Sequence, residues 1–138
     1  MINSRLALIA SALLASASPA FAAVDPDCAS LTALVHQART DFQSLQTRKF
    51  EAGACALRKQ EFRCSWAFPS DAFAVAEAQS GQAEHCALAI PGVEAVAGKK
   101  GETGFTIDDD LTMFVSKPEL DMGEWKVRIR LVDDLPPE

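Results

Sequence analysis

Apolar residues recur at intervals of three and four along the first part of the chain, as they do on one face of a helix. They run from Leu31 to Leu45, and Asp25-Pro26-Asp27 just before them is typical of a helix start. We predict a helix from about residue 26 to 46. A second helix is predicted over about residues 71–88, after the stop signal Pro69-Ser70-Asp71, with alanine at most of its apolar positions.

Other segments alternate apolar and polar residues, which is the period of a strand with one buried face. The last of them is the clearest, because lysine and arginine alternate there with tryptophan, valine, isoleucine and leucine. Turn residues separate the segments, so hairpins are expected. The predicted strands are Ala54–Leu57, Glu61–Phe68, Phe105–Ile107, Leu111–Ser116 and Trp125–Leu131.

The order of these elements, α-β-β-α-β-β-β, predicts the fold class. Helices separate strands only once, so the sheet should be mainly antiparallel, with about five strands. Each helix has one apolar stripe and each strand one apolar face. An α+β two-layer sandwich with both helices on one face of the sheet buries all of them. This layout resembles the secretion-chaperone-type α/β sandwich in element order, and the resemblance brings no functional residues with it.

The first 22 residues have the pattern of a secretory signal peptide. Arg5 precedes the apolar run Leu6–Leu14, and Ala20-Phe21-Ala22 fits a cleavage site before Ala23. We therefore expect a periplasmic or extracellular protein with no stable membrane insertion after cleavage. Residues 23–132 are expected to form a single domain, and residues 133–138 a flexible acidic tail.

The four cysteines of the chain all follow the predicted cleavage site. An even number in a small exported domain predicts two disulfides. Intervals of 27, 9 and 22 residues do not match a zinc site, so no metal is expected. A hairpin turning at Lys59-Gln60 would allow one bridge across the strands and a second between the helices. Two other pairings would join each helix to the hairpin, and the sequence does not choose among the three. The cysteines are Cys28, Cys55, Cys64 and Cys86.

The charge balance narrows the class of partner. Thirteen basic residues stand against 19 acidic ones, giving a net charge of −6. Nucleic acid is therefore not expected as a partner, because phosphate binding needs a basic surface. Lys126, Arg128 and Arg130 nevertheless project from one face of the last strand and are the candidate partner-binding residues. Pairing with carboxylates such as Glu61 on neighbouring strands is the competing interpretation.

Three further features of the sequence bear on catalysis and ligand binding. His36 and His85 lie on predicted helices without a serine motif near them, and disulfide-bonded cysteines offer no thiolate. The run Asp108–Asp110 is more typical of a hairpin turn than of a calcium site. The segment Gly98–Gly101 lacks the pattern of a phosphate-binding loop and is expected to be a connector. We expect no catalytic residue and no cofactor.

These observations favour an exported, non-catalytic protein-binding module over an enzyme. Its role could be that of an inhibitor, an immunity-type protein or a chaperone-like factor. One alternative is a secreted hydrolase that uses carboxylates, since that chemistry needs no histidine. Another is a small-ligand carrier with a pocket between the helices and the sheet. Carboxylates available for the hydrolase include Glu84, Glu94 and Glu102.

Overall fold

The first helix, α1 (Cys28–Thr40), begins where a side chain satisfies its free backbone N–H groups. In this computed structural model, which describes residues 26–134, the carboxylate of Asp27 accepts hydrogen bonds from the Ser30 N–H and hydroxyl, both at 2.8 Å. The helix stops at Asp41, whose backbone is extended, and a 3₁₀ helix (Phe42–Thr47) follows. The single helix predicted over 26–46 is therefore two helices. Asp41 interrupts it because its carboxylate caps the second one, accepting from the Gln43 N–H at 3.2 Å.

The second helix, α2 (Phe73–Leu88), lies where alanine-rich periodicity predicts it. Ala76, Ala83 and Ala87 are fully buried. Their small side chains let α2 approach the strands beneath it, and it contacts four of them.

The sheet has seven antiparallel strands, two more than predicted. Their spatial order is β1-β2-β7-β5-β4-β3, with β6 pairing to β7 beyond the end of β5. The fold class is α+β as predicted, and the count of about five strands is wrong. The strands are β1 (Ala54–Arg58), β2 (Glu61–Pro69), β3 (Glu94–Ala97), β4 (Glu102–Asp108), β5 (Leu111–Ser116), β6 (Glu119–Asp121) and β7 (Glu124–Asp133).

The two additional strands, β3 and β6, lack the alternation that marks the others. All four residues of β3 are exposed, so neither face of this strand has to be apolar. Its sequence therefore lacks the alternation by which a strand is predicted. β6 has only three residues, and Met122 and Gly123, both at positive φ, turn it directly into β7. β6 can pair there because β5 ends at Ser116, whose hydroxyl accepts a hydrogen bond from the Arg128 N–H at 2.8 Å in place of a strand carbonyl.

The two predicted disulfides are confirmed, and the structure selects one of the three pairings. The β1–β2 hairpin turns at Lys59-Gln60 and brings Cys55 opposite Cys64, which form the bridge across the strands. Cys28 and Cys86 join α1 to α2. Each bridge stabilises such a domain by about 2–4 kcal/mol, mainly by restricting the unfolded chain.

One apolar core takes residues from both helices and from alternate positions of the strands. On β7 these positions are Val127, Ile129 and Leu131, which are at most 3% exposed. Burying each such side chain contributes about 1.5–3 kcal/mol. Lys126, Arg128 and Arg130 alternate with them and project to the opposite side of the sheet.

Both ends of the chain lie outside the described residues. The signal peptide predicted for residues 1–22 is among them, as are residues 135–138 of the predicted tail. The strand β7 continues through Asp133, one residue past the predicted domain boundary, because Asp133 pairs with Leu111 of β5. No helix between residues 26 and 134 is long and apolar enough to cross a bilayer.

Candidate functional site

The candidate site lies on the side of the sheet whose residues alternate with the core positions. We call this side the polar face. The register places Arg63 of β2, Arg130 of β7 and Phe114 of β5 side by side across it. Lys126 and Arg128 lie further along β7 on the same side. The structure thus brings the three predicted partner-binding residues onto one surface.

Two of these three cations are paired with carboxylates of β6. Lys126 Nζ lies 3.2 Å from Asp121 Oδ2, and Arg128 Nη1 lies 3.3 Å from Glu119 Oε2. Glu119 is 68% exposed, so solvent weakens its pairing with Arg128. The carboxylates of β6 therefore neutralise Lys126 and Arg128, but these partly exposed ion pairs do not hold the two side chains rigidly.

Arg130 is held more tightly, between two glutamates. Its Nε and Nη2 each donate to a different oxygen of Glu102, both at 3.0 Å, and its Nη1 donates to Glu61 Oε2 at 2.9 Å. The guanidinium carbon lies 4.5 Å from the ring centroid of Phe114. The side chain is only 12% exposed, and that of Glu102 14%. Planar two-point pairing of this kind uses the edges of the guanidinium that would otherwise bind a ligand.

The electrostatics of this cluster favour its charged form. The hydrogen bonds that Arg130 donates to Glu102 raise the pKa of Arg130, against the opposing effect of burial and with a further contribution from Glu61. Burial alone would favour the neutral form of Glu61, but hydrogen bonds and attraction from Arg130 and Arg63 outweigh it and lower the pKa of that carboxyl. A general acid requires the opposite shift. The lowered pKa of Glu61 therefore favours its ionised form.

A cavity of about 560 Å³ opens on the polar face. Six basic side chains and three glutamates line it, a local excess of three positive charges on a chain whose net charge is −6. The strand residues Arg63, Arg128 and Arg130 line one part. The turn between β3 and β4 lines another, with Lys99 and Lys100.

The Lys99-Lys100 turn is the feature that sequence reasoning assigned to a mere connector. Its conformation is set by backbone hydrogen bonds, from the Glu102 N–H to the Lys99 carbonyl at 2.9 Å and from the Lys117 N–H to the Gly101 carbonyl at 2.7 Å. Gly98 is required, because a Cβ there would lie 2.9 Å from the Glu102 carbonyl oxygen. The signal available in the sequence was two adjacent lysines between glycines in an acidic chain.

The lysines of this turn differ from the strand cations in their pairing. Within the part of the chain that the structure describes, no carboxylate lies within the 4.0 Å of an ion pair from Lys99 or Lys100. Lys117 contacts Glu84 of α2 at 2.7 Å and keeps 59% of its side chain exposed. The unpaired positive charge of the cavity is therefore concentrated at its β3–β4 rim.

The other candidates from the sequence lie away from this cavity. His36 and His85 are exposed on α1 and α2. In the aspartate run, Asp108 accepts from the Asp110 N–H at 2.9 Å, which is a turn, and pairs with Arg39 at 3.0 Å. Among residues 26–134, no three histidine, cysteine or acidic side chains are arranged to hold a metal ion.

Comparison of this chain with protein-family models, with curated proteins and with solved structures finds no match. The functional assignment therefore depends on the geometry of the polar face.

Proposed function

We propose that this chain is a small exported, non-catalytic protein-binding module whose polar face contacts the partner. In this proposal both helices form one layer on the core side, so the opposite side of the sheet stays accessible. The observation that carries the proposal is the cavity with an excess of positive charge on an otherwise acidic chain. An inhibitor, an immunity-type protein or a chaperone-like factor would each use such a surface.

The construction of the polar face supports binding rather than chemistry. Arg130 and its glutamates form a fixed platform, and fixed side chains lose little conformational entropy when a partner docks. The two disulfides stiffen the scaffold in the same sense. Glu61 has a lowered pKa, which supports a role as a permanent anion rather than a proton donor.

Export is the second part of the proposal. Disulfides persist in oxidising compartments, and both bridges join residues after the predicted cleavage site. The leader pattern of residues 1–22 supports the same destination, the periplasm or the extracellular space. The protein isolated from its source cells should begin at Ala23 by mass spectrometry. After denaturation without reductant it should react with no thiol label, and labelling of two or more cysteines would contradict export.

Site-specific photo-crosslinking tests the partner-binding surface. A photoreactive amino acid at Ala56 or Ala67, both exposed on the polar face, should give one discrete adduct when the protein is irradiated in its source cells. Ala33 and Ala78, exposed on α1 and α2, are matched control positions. Adducts of equal yield from the helix positions, or none from the polar face, would contradict the proposal.

A further inference from the structure

We infer that the β3–β4 rim of the cavity is an anion site that receives an acidic peptide segment of the partner. We call this site the lysine rim and define it as Lys99 and Lys100. The inference rests on the proposed function and names the chemistry that the partner presents. The inference assigns partner binding to the β3–β4 turn instead of to Lys126, Arg128 and Arg130 of β7.

Charge bookkeeping within the cavity leads to the lysine rim. Arg63 and Arg130 are balanced by Glu61 and Glu102, which they contact at 2.7–3.0 Å. Arg128 is balanced by Glu119. Only Lys99 and Lys100 line the cavity without a carboxylate partner in the described residues. An incoming anion therefore gains most at this rim, where it displaces no existing ion pair.

The kind of cation at the rim decides between carboxylate and phosphate ligands. Phosphate sites typically use the fork of a guanidinium, and here the fork of Arg130 is taken by Glu102. Arg63 and Arg128 are each paired with a glutamate, so the cations without a partner are ammonium groups, which attract any anion as point charges. Three glutamates also line the cavity and would repel a compact dianion held at its centre. Single carboxylates spread along a chain can meet the lysines and avoid the glutamates.

The shape of the cavity suits an extended segment. Its volume of 560 Å³ is large enough for several groups of a ligand, and it opens along the polar face from the β3–β4 turn toward Arg63 on β2. Most of the lining residues are charged, whereas pockets that enclose a small molecule are lined mainly by apolar and aromatic side chains. An acidic peptide lying across the strands would place its carboxylates at the rim and its neutral groups over the Arg130 platform.

Binding of a labelled hexaglutamate peptide tests this site directly. Fluorescence anisotropy with the mature protein at low salt measures the affinity of the wild type and of two double variants. Lys99→Gln with Lys100→Gln removes the rim charges, and Lys49→Gln with Lys59→Gln removes two exposed charges that do not line the cavity. We expect about tenfold weaker binding for the rim variant and less than about twofold for the control, since attraction between charges falls with distance and screening.

The outcomes separate specific from general attraction. Equal weakening by both double variants, or no binding by the wild type at low salt, would overturn the site. Inorganic phosphate and pyrophosphate should fail to displace the peptide at concentrations where unlabelled hexaglutamate does. Displacement by phosphate at lower concentration than hexaglutamate would overturn the choice of carboxylate. Circular dichroism of both variants should match the wild type, because all four lysines are exposed.

The same variant distinguishes this inference from the proposed function. If the photo-adduct from Ala56 or Ala67 persists undiminished in the rim variant, the partner binds but the lysine rim does not receive it, which overturns the inference alone. If the adduct and the peptide affinity are lost together, both are supported. A wild type that binds the peptide but gives no adduct would contradict the proposed function while leaving the anion site in place.

Discussion

The two sides of β7 carry the same alternating pattern and owe their stability to different forces. Val127, Ile129 and Leu131 are at most 3% exposed and gain free energy by leaving water. Their neighbours on the other side, among them Arg128 and Arg130, keep 29% and 12% of their side chains exposed and are paired with carboxylates. The cations on one side of a strand can therefore be occupied by contacts within their own sheet, as the apolar residues on the other side are.

The polar side is itself graded. Pairs made by β6 are partly exposed, so each contributes less than about 1 kcal/mol. The pair between Arg130 and Glu102 is more than 85% buried at both side chains, with exposures of 12% and 14%. Breaking a pair at that depth leaves a charge without compensation. Substitutions on both sides of the sheet, from the core to the exposed end of β7, test this ranking.

The largest effect is expected on the apolar side. Ile129→Ala should lower the free energy of unfolding by about 2–5 kcal/mol, because it removes buried methyl groups and leaves a cavity. Urea denaturation followed by circular dichroism measures the loss. Arg128→Ala, at the adjacent position, should cost less than about 1 kcal/mol. Similar losses for the two variants would remove the contrast between the two sides.

Arg130→Met should have the second-largest effect, a loss of about 2–4 kcal/mol. The change leaves Glu61 and Glu102 facing each other in a half-buried cluster without their shared cation. Arg130→Lys should restore only part of the stability, since an ammonium group cannot make the planar two-point contact with Glu102. Arg63→Met is the matched control, because Arg63 is 53% exposed, and a loss as large as that of Arg130→Met would refute the ranking.

A smaller effect should appear as a pH dependence. Folding lowers the pKa of Glu61 from its ordinary value of 4.5, so its contribution is present above that value and is lost as the pH falls through the folded pKa. Glu61→Gln should therefore destabilise the protein at pH 7 by about 1 kcal/mol or less, and the difference from the wild type should shrink below pH 4.5. Denaturation curves measured from pH 7 to 3 test this, and a difference that grows on acidification would reverse the sign.

The smallest effect on stability is expected at Lys126, near the start of β7. Lys126→Gln should change the free energy of unfolding by less than about 0.5 kcal/mol, because Lys126 pairs with a half-exposed Asp121. Chemical denaturation at low and at high salt gives the measurement. A loss above about 1 kcal/mol that salt does not reduce would place Lys126 with Arg130 in the ranking.

The parts of the fold that sequence reasoning found are those in which burial imposes a period. The β1–β2 hairpin and the alternation in β7 have one face in the core, so the sequence repeats every two residues. Strand β3 was not predicted because Ala95 and Val96 are exposed, so burial does not impose an alternation of apolar and polar residues there. The break at Asp41 was not predicted because the apolar stripe continues through Phe42 and Leu45. Only the local cap at Asp41 separates the two helices.

The candidate site was predictable in part for the same reason. The polar side of β7 follows from alternation, and the notion that Glu61 pairs with the stripe agrees with its contact to Arg130. The use of Glu102 and Glu119 depends on which strands become neighbours, which no local pattern contains. Lys99 and Lys100 stand out only in the folded structure, where the arginines of the cavity are paired with glutamates and these two lysines are not.

The disulfide between Cys28 and Cys86 closes residues 28–86 into a ring. The bridge Cys55–Cys64 lies within it. A protease that cuts after Lys59 leaves two fragments still tied by sulfur, which would migrate as one species on a non-reducing gel. A cut between Lys99 and Lys100 falls outside the ring and yields fragments that denaturant alone should separate. The turn that we assign to partner binding is thus also a point at which the chain can be divided, and a bound partner should shield it from trypsin.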